Sequence, residues 1–228
     1  MATSTAQRVG IWVIAVAMIV GTLAGFIAMI LSSENSTGSQ QAVAKYQTDY
    51  AEYQKKIDVQ TKELSGKYFS EFNVYATAPA AFDAATVTEL SSKDLKVGDG
   101  EAIGDKSGYG VYYIGWNPQG KKFDSSFSDD GASLKQPLLR RTDGAWVFPG
   151  GQSGGVIEGW TEGLKKDMKV GGVRELTIPA KLAYGEKGQG EDIPANTPLK
   201  FIMMVIPKFD EIKAPEVTQE MMQAYGQQ

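Results

Sequence analysis

The chain reads as an α+β protein, on two observations. Short β-type runs recur between Tyr109 and Ile206, and one short helical segment, Ile157–Leu164, interrupts them. Glycine is abundant, 26 of 228 residues, and 9 prolines add to a turn-rich composition unlike that of a helical bundle. A sheet of this kind must bury a face, so it is expected to wrap the helix.

The elements follow in order. The globular domain is expected to begin between Phe82 and Lys93. Val87-Thr88-Glu89-Leu90 reads as a strand and Val97-Gly98-Asp99-Gly100 as a turn. Tyr109 to Trp116 is Gly, aromatic and β-branched, a strand composition. Asn117-Pro118-Gln119-Gly120 is a hairpin-type turn. Asp129 to Ala145 is polar and interrupted by Pro137, which reads as a loop. Arg174 to Ile178 alternates, and Leu199 to Ile206 is the near-continuous apolar run of a central strand. Pro207 and Pro215 punctuate a tail in which Glu216–Tyr225 either forms a last helix or stays frayed.

The amino-terminal part is of another kind. Val9 to Leu31 carries no charge and only Thr22 as a polar interruption, long enough to cross a hydrocarbon core of ~30 Å. It exceeds the ~7–15 residue apolar region of a secretory signal, so it reads as an uncleaved anchor. Cleavage at Ala42-Val43-Ala44, an A-x-A pattern well past the apolar run, is the competing reading. Arg8 precedes the span and Glu34 is the first charge after it, which favours a cytoplasmic amino terminus and a carboxyl-terminal domain on the extracytoplasmic side. The expected division is a cytoplasmic 1–8, a transmembrane helix 9–31, a polar linker with an amphipathic helix over 32–81, a globular domain 82–209 and a tail 210–228. Val43, Tyr46, Tyr50, Tyr53, Ile57 and Leu64 recur at helical spacing, and Ser65-Gly66 is expected to end that helix. The stripe suits a helix lying on the neighbouring domain or a weak homodimer through 43–64.

Charge and composition exclude several functions. The net charge of −4 gives no electrostatic footprint for nucleic acid. With no Cys and no His, disulfides, Cys/His zinc sites and imidazole base catalysis are absent. Gly151-Gln152-Ser153-Gly154-Gly155 matches the G-x-S-x-G string of a hydrolase, but Ser153 has no His to take its proton. Gly185, Gly188 and Gly190 do not form a dinucleotide fingerprint. Asp124, Asp129 and Asp130 lack calcium-loop spacing. Neither a metal nor a cofactor is expected.

The strong constellation is aromatic. Trp160 sits three residues after Ile157 on the short helix. Phe123, Tyr184 and Ile193 flank predicted loops rather than strand centres. Apolar groups at loop mouths around a tryptophan form the usual small-ligand pocket.

VIEGW at 156–160, LAYG at 182–185, the Ile193-Pro194 turn, the strand reaching Phe201, and YYIGWNPQGKKFDSS at 112–126 together resemble the FKBP-type peptidyl-prolyl cis-trans isomerases. The likeness covers roughly Lys93 to Phe209. It implies an antiparallel twisted sheet around the short helix, an FKBP-like domain after the anchor and the helical linker. It places Trp160 as the floor of a proline pocket, with Val156, Ile157, Tyr113, Phe123, Asp124, Tyr184, Ile193 and Phe201 as walls and rim. The Ile157 N–H and the Tyr184 hydroxyl would hold substrate carbonyls. Asp124 would polarise the twisting amide or order Tyr113, and the second role is preferred. Asp124, Tyr184 and Phe123 are the expected catalytic residues. Three departures stand out. Gln189 stands where a His is frequent, Ala195 replaces the second Pro of an I-P-P turn, and the segment after Phe127 is longer. Either Trp146 or Phe148 completes one wall.

The implied activity is isomerisation of X-Pro bonds in proline-containing segments of exported proteins, with macrolides as possible ligands. The alternatives are a membrane-tethered binding or chaperone module using the same pocket with little catalysis, and a tethered structural spacer.

Overall fold

The computed structural model describes residues 37–165 and 167–219. The span 9–31 lies outside them, and no helix among the described residues is long and apolar enough to cross a membrane. The chain divides into two compact units, one holding the described residues up to Lys56 and those from Ile212, the other Ile57–Glu211.

Helix α1, Thr37–Asn73, runs through the division. In its first part Tyr46, Tyr50 and Tyr53 form a ladder of rings with centroids 6.1 and 5.8 Å apart. Lys45–Asp49 and Glu52–Lys56 pair one turn apart on the same stretch. Ser65-Gly66 does not end the helix. Packing overrides the local signal, because Tyr68, Phe69 and Phe72 continue onto the sheet. The Ser65 hydroxyl is buried and accepts the Leu134 N–H at 2.9 Å.

The larger unit is an eight-stranded antiparallel sheet with a short helix on one face. The strands are β1 Ser91–Lys96, β2 Tyr109–Trp116, β3 Lys122–Ser125, β4 Leu138–Arg140, β5 Trp146–Val147, β6 Ser153–Gly154, β7 Val173–Ile178 and β8 Leu199–Pro207. Their order is β1-β7-β8-β2-β4-β5-β6, and β3 pairs with β2. The long pair β2–β8 holds the centre, in register from Tyr109↔Pro207 to Trp116↔Lys200. Helix α2, Glu158–Lys165, follows β6 and packs on β7. It can lie close because its contact face is glycine: a Cβ at Gly163 would meet Leu176 at 2.7 Å, and one at Gly159 would overlap Ile178.

Strand alternation sorts side chains into two cores. Tyr109, Val111, Phe201, Met203 and Val205 join α2 in the first. Tyr112, Ile114, Trp116, Ile202, Met204 and Ile206 face the second, which Phe72 fills, with Leu64, Tyr68 and Phe69 packed against it. The sheet therefore has a helix on both faces, and the compact unit takes in helix residues that the sequence assigns to a linker before 82. Leu64, partly buried, packs against this core.

Two strands differ from expectation. Val87–Leu90 is not a strand, because a 3₁₀ turn at Ala84–Thr86, capped by the Asp83 carboxylate, displaces the start of β1 to Ser91. The mostly exposed pattern of β1 gives no hydrophobic alternation to read. The polar stretch 129–145 holds β4, whose Leu138, Leu139 and Arg140 are all buried against β2 and β5. No helix begins at Glu216 to Thr218, and 220–225 lies outside the described residues.

Candidate active site

The site starts from a glycine. Gly115 on β2 stands opposite Asp124 on β3 and Phe201 on β8. A Cβ there would approach the Phe123 ring at 2.8 Å and overlap that of Phe201. Its absence lets those two rings meet edge to face, 5.6 Å between centroids at 82°. A glycine inside a strand marks such a close approach, and that is the sequence signal for Gly115.

Trp160 joins them from α2. Its ring lies 5.1 Å from Phe201 at 83°, 4.9 Å from Tyr113 at 62° and 6.2 Å from Trp146 at 70°. Trp146 is thus the aromatic that abuts the tryptophan, held by pairing with Gly154 on β6 and by the Tyr109 ring. Phe148 sits two residues further along the chain, half-buried, with its ring against Gly154. Behind Trp146, the buried Arg140 guanidinium lies 6.0 Å from both the Trp146 and Tyr109 rings. It donates to the carbonyls of Asp105 and Ser107.

Exposure is graded across the cluster. Trp160 and Phe201 are 5% and 3% exposed, Tyr113 and Phe123 are half-buried, and Tyr184 is 37% exposed. Ile193 is buried in the same core, with Val156 and Ile157 partly buried against it. Trp160, Phe201, Tyr113, Phe123, Ile193 and the Val156-Ile157 pair thus share one core, Asp124 is bonded to Tyr113, and Tyr184 feels the Asp124 charge. Ser153 is not among them; it lies exposed on β6, paired with Val147.

Polar groups are few and specific. Tyr113 donates its hydroxyl to Asp124 Oδ2 at 2.5 Å, and Asp124 Oδ1 accepts the Ser125 N–H at 2.8 Å. Burial pushes the Asp124 carboxyl up, opposed by these two bonds. Burial also pushes the Tyr113 phenol well up, and the Asp124 charge adds to it. Tyr184 is raised by burial and by the Asp124 charge. The Ile157 N–H, just before α2, donates to no acceptor among the described residues. The Trp160 indole N–H is likewise buried without a hydrogen-bond partner among them. The site is a mostly apolar aromatic cluster with one carboxyl group hydrogen-bonded at both oxygens, two phenols and a backbone donor at its edge.

Such a cluster has no nucleophile–base pair and no cluster of metal ligands among the described residues. It suits binding of a compact apolar ring rather than proton transfer.

Comparison with known proteins gives one consistent result. The sequence pattern of the FKBP-type peptidyl-prolyl cis-trans isomerase domain matches residues 101–206. The chain is 42% identical to an FK506-binding protein of Neisseria meningitidis serogroup A, over 49% of this chain and 89% of that protein. It is 34% identical to the FKBP-type peptidyl-prolyl cis-trans isomerase FkpA of Escherichia coli K12, over 79% of this chain and 52% of FkpA. An FK506-binding protein 4 of Rhizopus delemar is 40% identical over 49% of this chain. The chain spans about half of FkpA's length and a quarter of the fungal protein's.

Proposed function

Because the chain belongs to the FKBP-type peptidyl-prolyl cis-trans isomerase family, we propose that it catalyses rotation about X-Pro bonds in proline-containing polypeptide segments. The observation that carries this reading is the convergence of Tyr113, Phe201 and Trp146 on Trp160, with Phe123 on Phe201.

The chemistry asks little of side chains as acids or bases. Rotation must break amide conjugation, a barrier of ~18–20 kcal/mol, and uncatalysed it takes ~10–100 s. The planar amide carries separated charge that the twisted amide loses. An apolar enclosure therefore favours the twisted form relative to water. Trp160, Phe201 and Phe123 hold the pyrrolidine ring. The Ile157 N–H and the Tyr184 hydroxyl take substrate carbonyls at the rim and fix one end of the segment while the other turns. Asp124 has both oxygens engaged, so its part is to order Tyr113 beside Trp160 rather than to touch the amide.

The test is a protease-coupled measurement of cis-to-trans conversion of an X-Pro peptide with the full chain. Conversion above the uncatalysed rate is expected. Peptide binding without acceleration would leave a proline-segment binding module in its place.

The same reading extends to ligands and to the cell. The names of the Neisseria and Rhizopus relatives support macrolide binding in the same cluster. The uncharged span Val9–Leu31 behind Arg8 supports a single-pass anchor with the isomerase domain on the extracytoplasmic side, acting on exported proteins. Partition of the full chain with membranes, and protection of its carboxyl-terminal part from protease added on the cytoplasmic side, test this. A soluble mature chain beginning at Lys45 would show cleavage at Ala42-Val43-Ala44 instead.

A further inference from the structure

We propose, building on the isomerase reading, that Asn117 is a positioning residue: it latches the loop that carries Tyr184 and Ile193 to the turn that carries Phe123.

The turn follows β2 and leads directly into β3. Asn117 is 4% exposed although it sits in a turn, where an asparagine is ordinarily solvated. Its Oδ1 accepts the N–H groups of Gln119 and Lys121 at 3.1 and 3.0 Å. That much is ordinary turn chemistry, and an aspartate would do the same. Its Nδ2 does something else: it donates to the carbonyl of Asp192, 75 residues away, at 2.9 Å. Alongside, Lys121 Nζ pairs with Asp192 Oδ1 at 2.6 Å. One turn therefore grips one residue of the distant loop through both its backbone and its side chain.

The gripped loop is closed on itself. The Gln189 N–H donates to the Ile193 carbonyl at 2.6 Å, and the Asn196 N–H donates to the Gly185 carbonyl at 2.8 Å. Gly188 has φ +65°, and a Cβ there would overlap the Ile193 carbonyl and meet the Pro194 carbonyl carbon at 2.7 Å. A loop held this way moves as a piece, and Asp192 is where the turn holds it. Ile193 comes next in sequence on one side of the latch, and Phe123 two residues after Lys121 on the other. The latch therefore sets the separation of the rim from the aromatic wall.

Asn117→Asp keeps the shape and both turn acceptors and turns the donor to Asp192 into an acceptor; it also adds a charge at a buried position, and the β8 reference separates that general cost from loss of the latch. Two quantities are measured on the full chain. These are KM and kcat for an X-Pro peptide, and amide hydrogen exchange at Gln189 and Asn196 with Phe201 and Met203 of β8 as reference. The expected result is a KM raised about five- to tenfold with kcat within about twofold, the pattern of lost binding. Loop exchange should accelerate about tenfold, with no change in β8. Unchanged KM with unchanged loop exchange overturns the proposal. So does acceleration of loop and β8 alike, which would make Asn117 a general stabiliser of the fold. If the variant does not fold, Lys121→Met decides. It removes the ion pair, half exposed at Lys121 and largely buried at Asp192, and should raise loop exchange about two- to threefold; no rise overturns the latch. A wild-type chain without isomerase activity would defeat the isomerase reading, while the exchange measurements would still decide the latch.

Discussion

The Tyr113 hydroxyl reaches Asp124 Oδ2 at 2.5 Å across the β2–β3 pair, and the Tyr113 ring stands 4.9 Å from Trp160. One hydrogen bond thus ties a half-buried wall ring to the carboxylate beside Phe123. The carboxylate is engaged at its other oxygen by the Ser125 N–H. Burial raises both groups, the carboxyl against its two hydrogen bonds and the phenol with the Asp124 charge adding to the effect.

Asp124→Asn is expected to stabilise the domain at pH 7 and to be neutral at strongly acid pH. The sign follows from linkage. The folded-state carboxyl is raised above 3.8 by burial, so between that value and the raised one the folded state binds more protons than the unfolded state. Stability therefore falls as pH rises through that window and stays lower above it. Asparagine carries no charge to desolvate; its Oδ1 takes the Ser125 N–H and its Nδ2 donates to the Tyr113 hydroxyl oxygen, whose own proton turns away. Thermal unfolding of both proteins between pH 3 and pH 8 reads this, and an Asn variant less stable at pH 7 would contradict it.

Phe123→Ala and Asp124→Val are both expected to lower isomerase activity on an X-Pro peptide with the fold intact. Phe123 contributes apolar wall worth ~1–3 kcal/mol to the transition state, or about five- to 150-fold in kcat/KM. Asp124→Val frees the Tyr113 hydroxyl and loosens that ring beside Trp160. Ser153→Ala should change nothing, since Ser153 is exposed on β6 and the chain has no His to activate it. Circular dichroism of each variant separates lost activity from lost fold. Loss of activity in the serine variant alone would reopen the hydrolase motif.

Gly115→Ala should cost about 1–3 kcal/mol of stability and reduce activity more than its position outside the ring cluster suggests. The added methyl would enter space held by the Phe123 and Phe201 rings together. Denaturant unfolding and the peptide assay on the one variant measure both effects. A fully active, fully stable alanine variant would mean that the two rings can part without consequence.

The site was more legible in the sequence than the fold around it. Trp160, Phe123 and Phe201 lie in short local motifs, and each motif carries its own turn or glycine signal. The central strands β2 and β8 announced themselves by β-branched and apolar runs. What escaped was whatever depends on distant partners. Trp146 and Phe148 are equivalent by composition, and only the pairing of β5 with Gly154 on β6 puts the former on Trp160. β1 escaped because its side chains are mostly exposed and it exists by its ladder with β7. Ser65-Gly66 has the local chemistry of a helix end, yet the Leu134 N–H takes up the serine hydroxyl and the aromatic residues beyond it have a sheet to cover. Asn117 reads as a turn former, and nothing local to it points to Asp192.

The position of the domain's start gives the last prediction. A fragment beginning at Phe82 keeps every motif of the site, which is why the sequence alone favours it as a folded unit. The second core argues otherwise. Phe72 is fully buried, stacked on Phe127 at 5.5 Å and close to Tyr112 at 6.2 Å. Leu64, Tyr68, Phe69 and Tyr75 pack around it over Ile114, Trp116, Ile202 and Met204. The Trp116 indole also donates to the Ala80 carbonyl at 3.1 Å. Phe72→Ala alone should cost about 3–5 kcal/mol. Full burial of a large apolar side chain contributes ~1.5–3 kcal/mol, and Phe72 is joined here by four partly buried neighbours that each add a share of that. Their combined loss is a large fraction of the stability of an ordinary domain, ~5–15 kcal/mol. The fragment 57–211 is therefore expected to unfold in one cooperative transition. The fragment 82–211 should bind a hydrophobic dye, aggregate or melt far lower. Equal melting temperatures for the two fragments would show that the helix merely lies on the sheet.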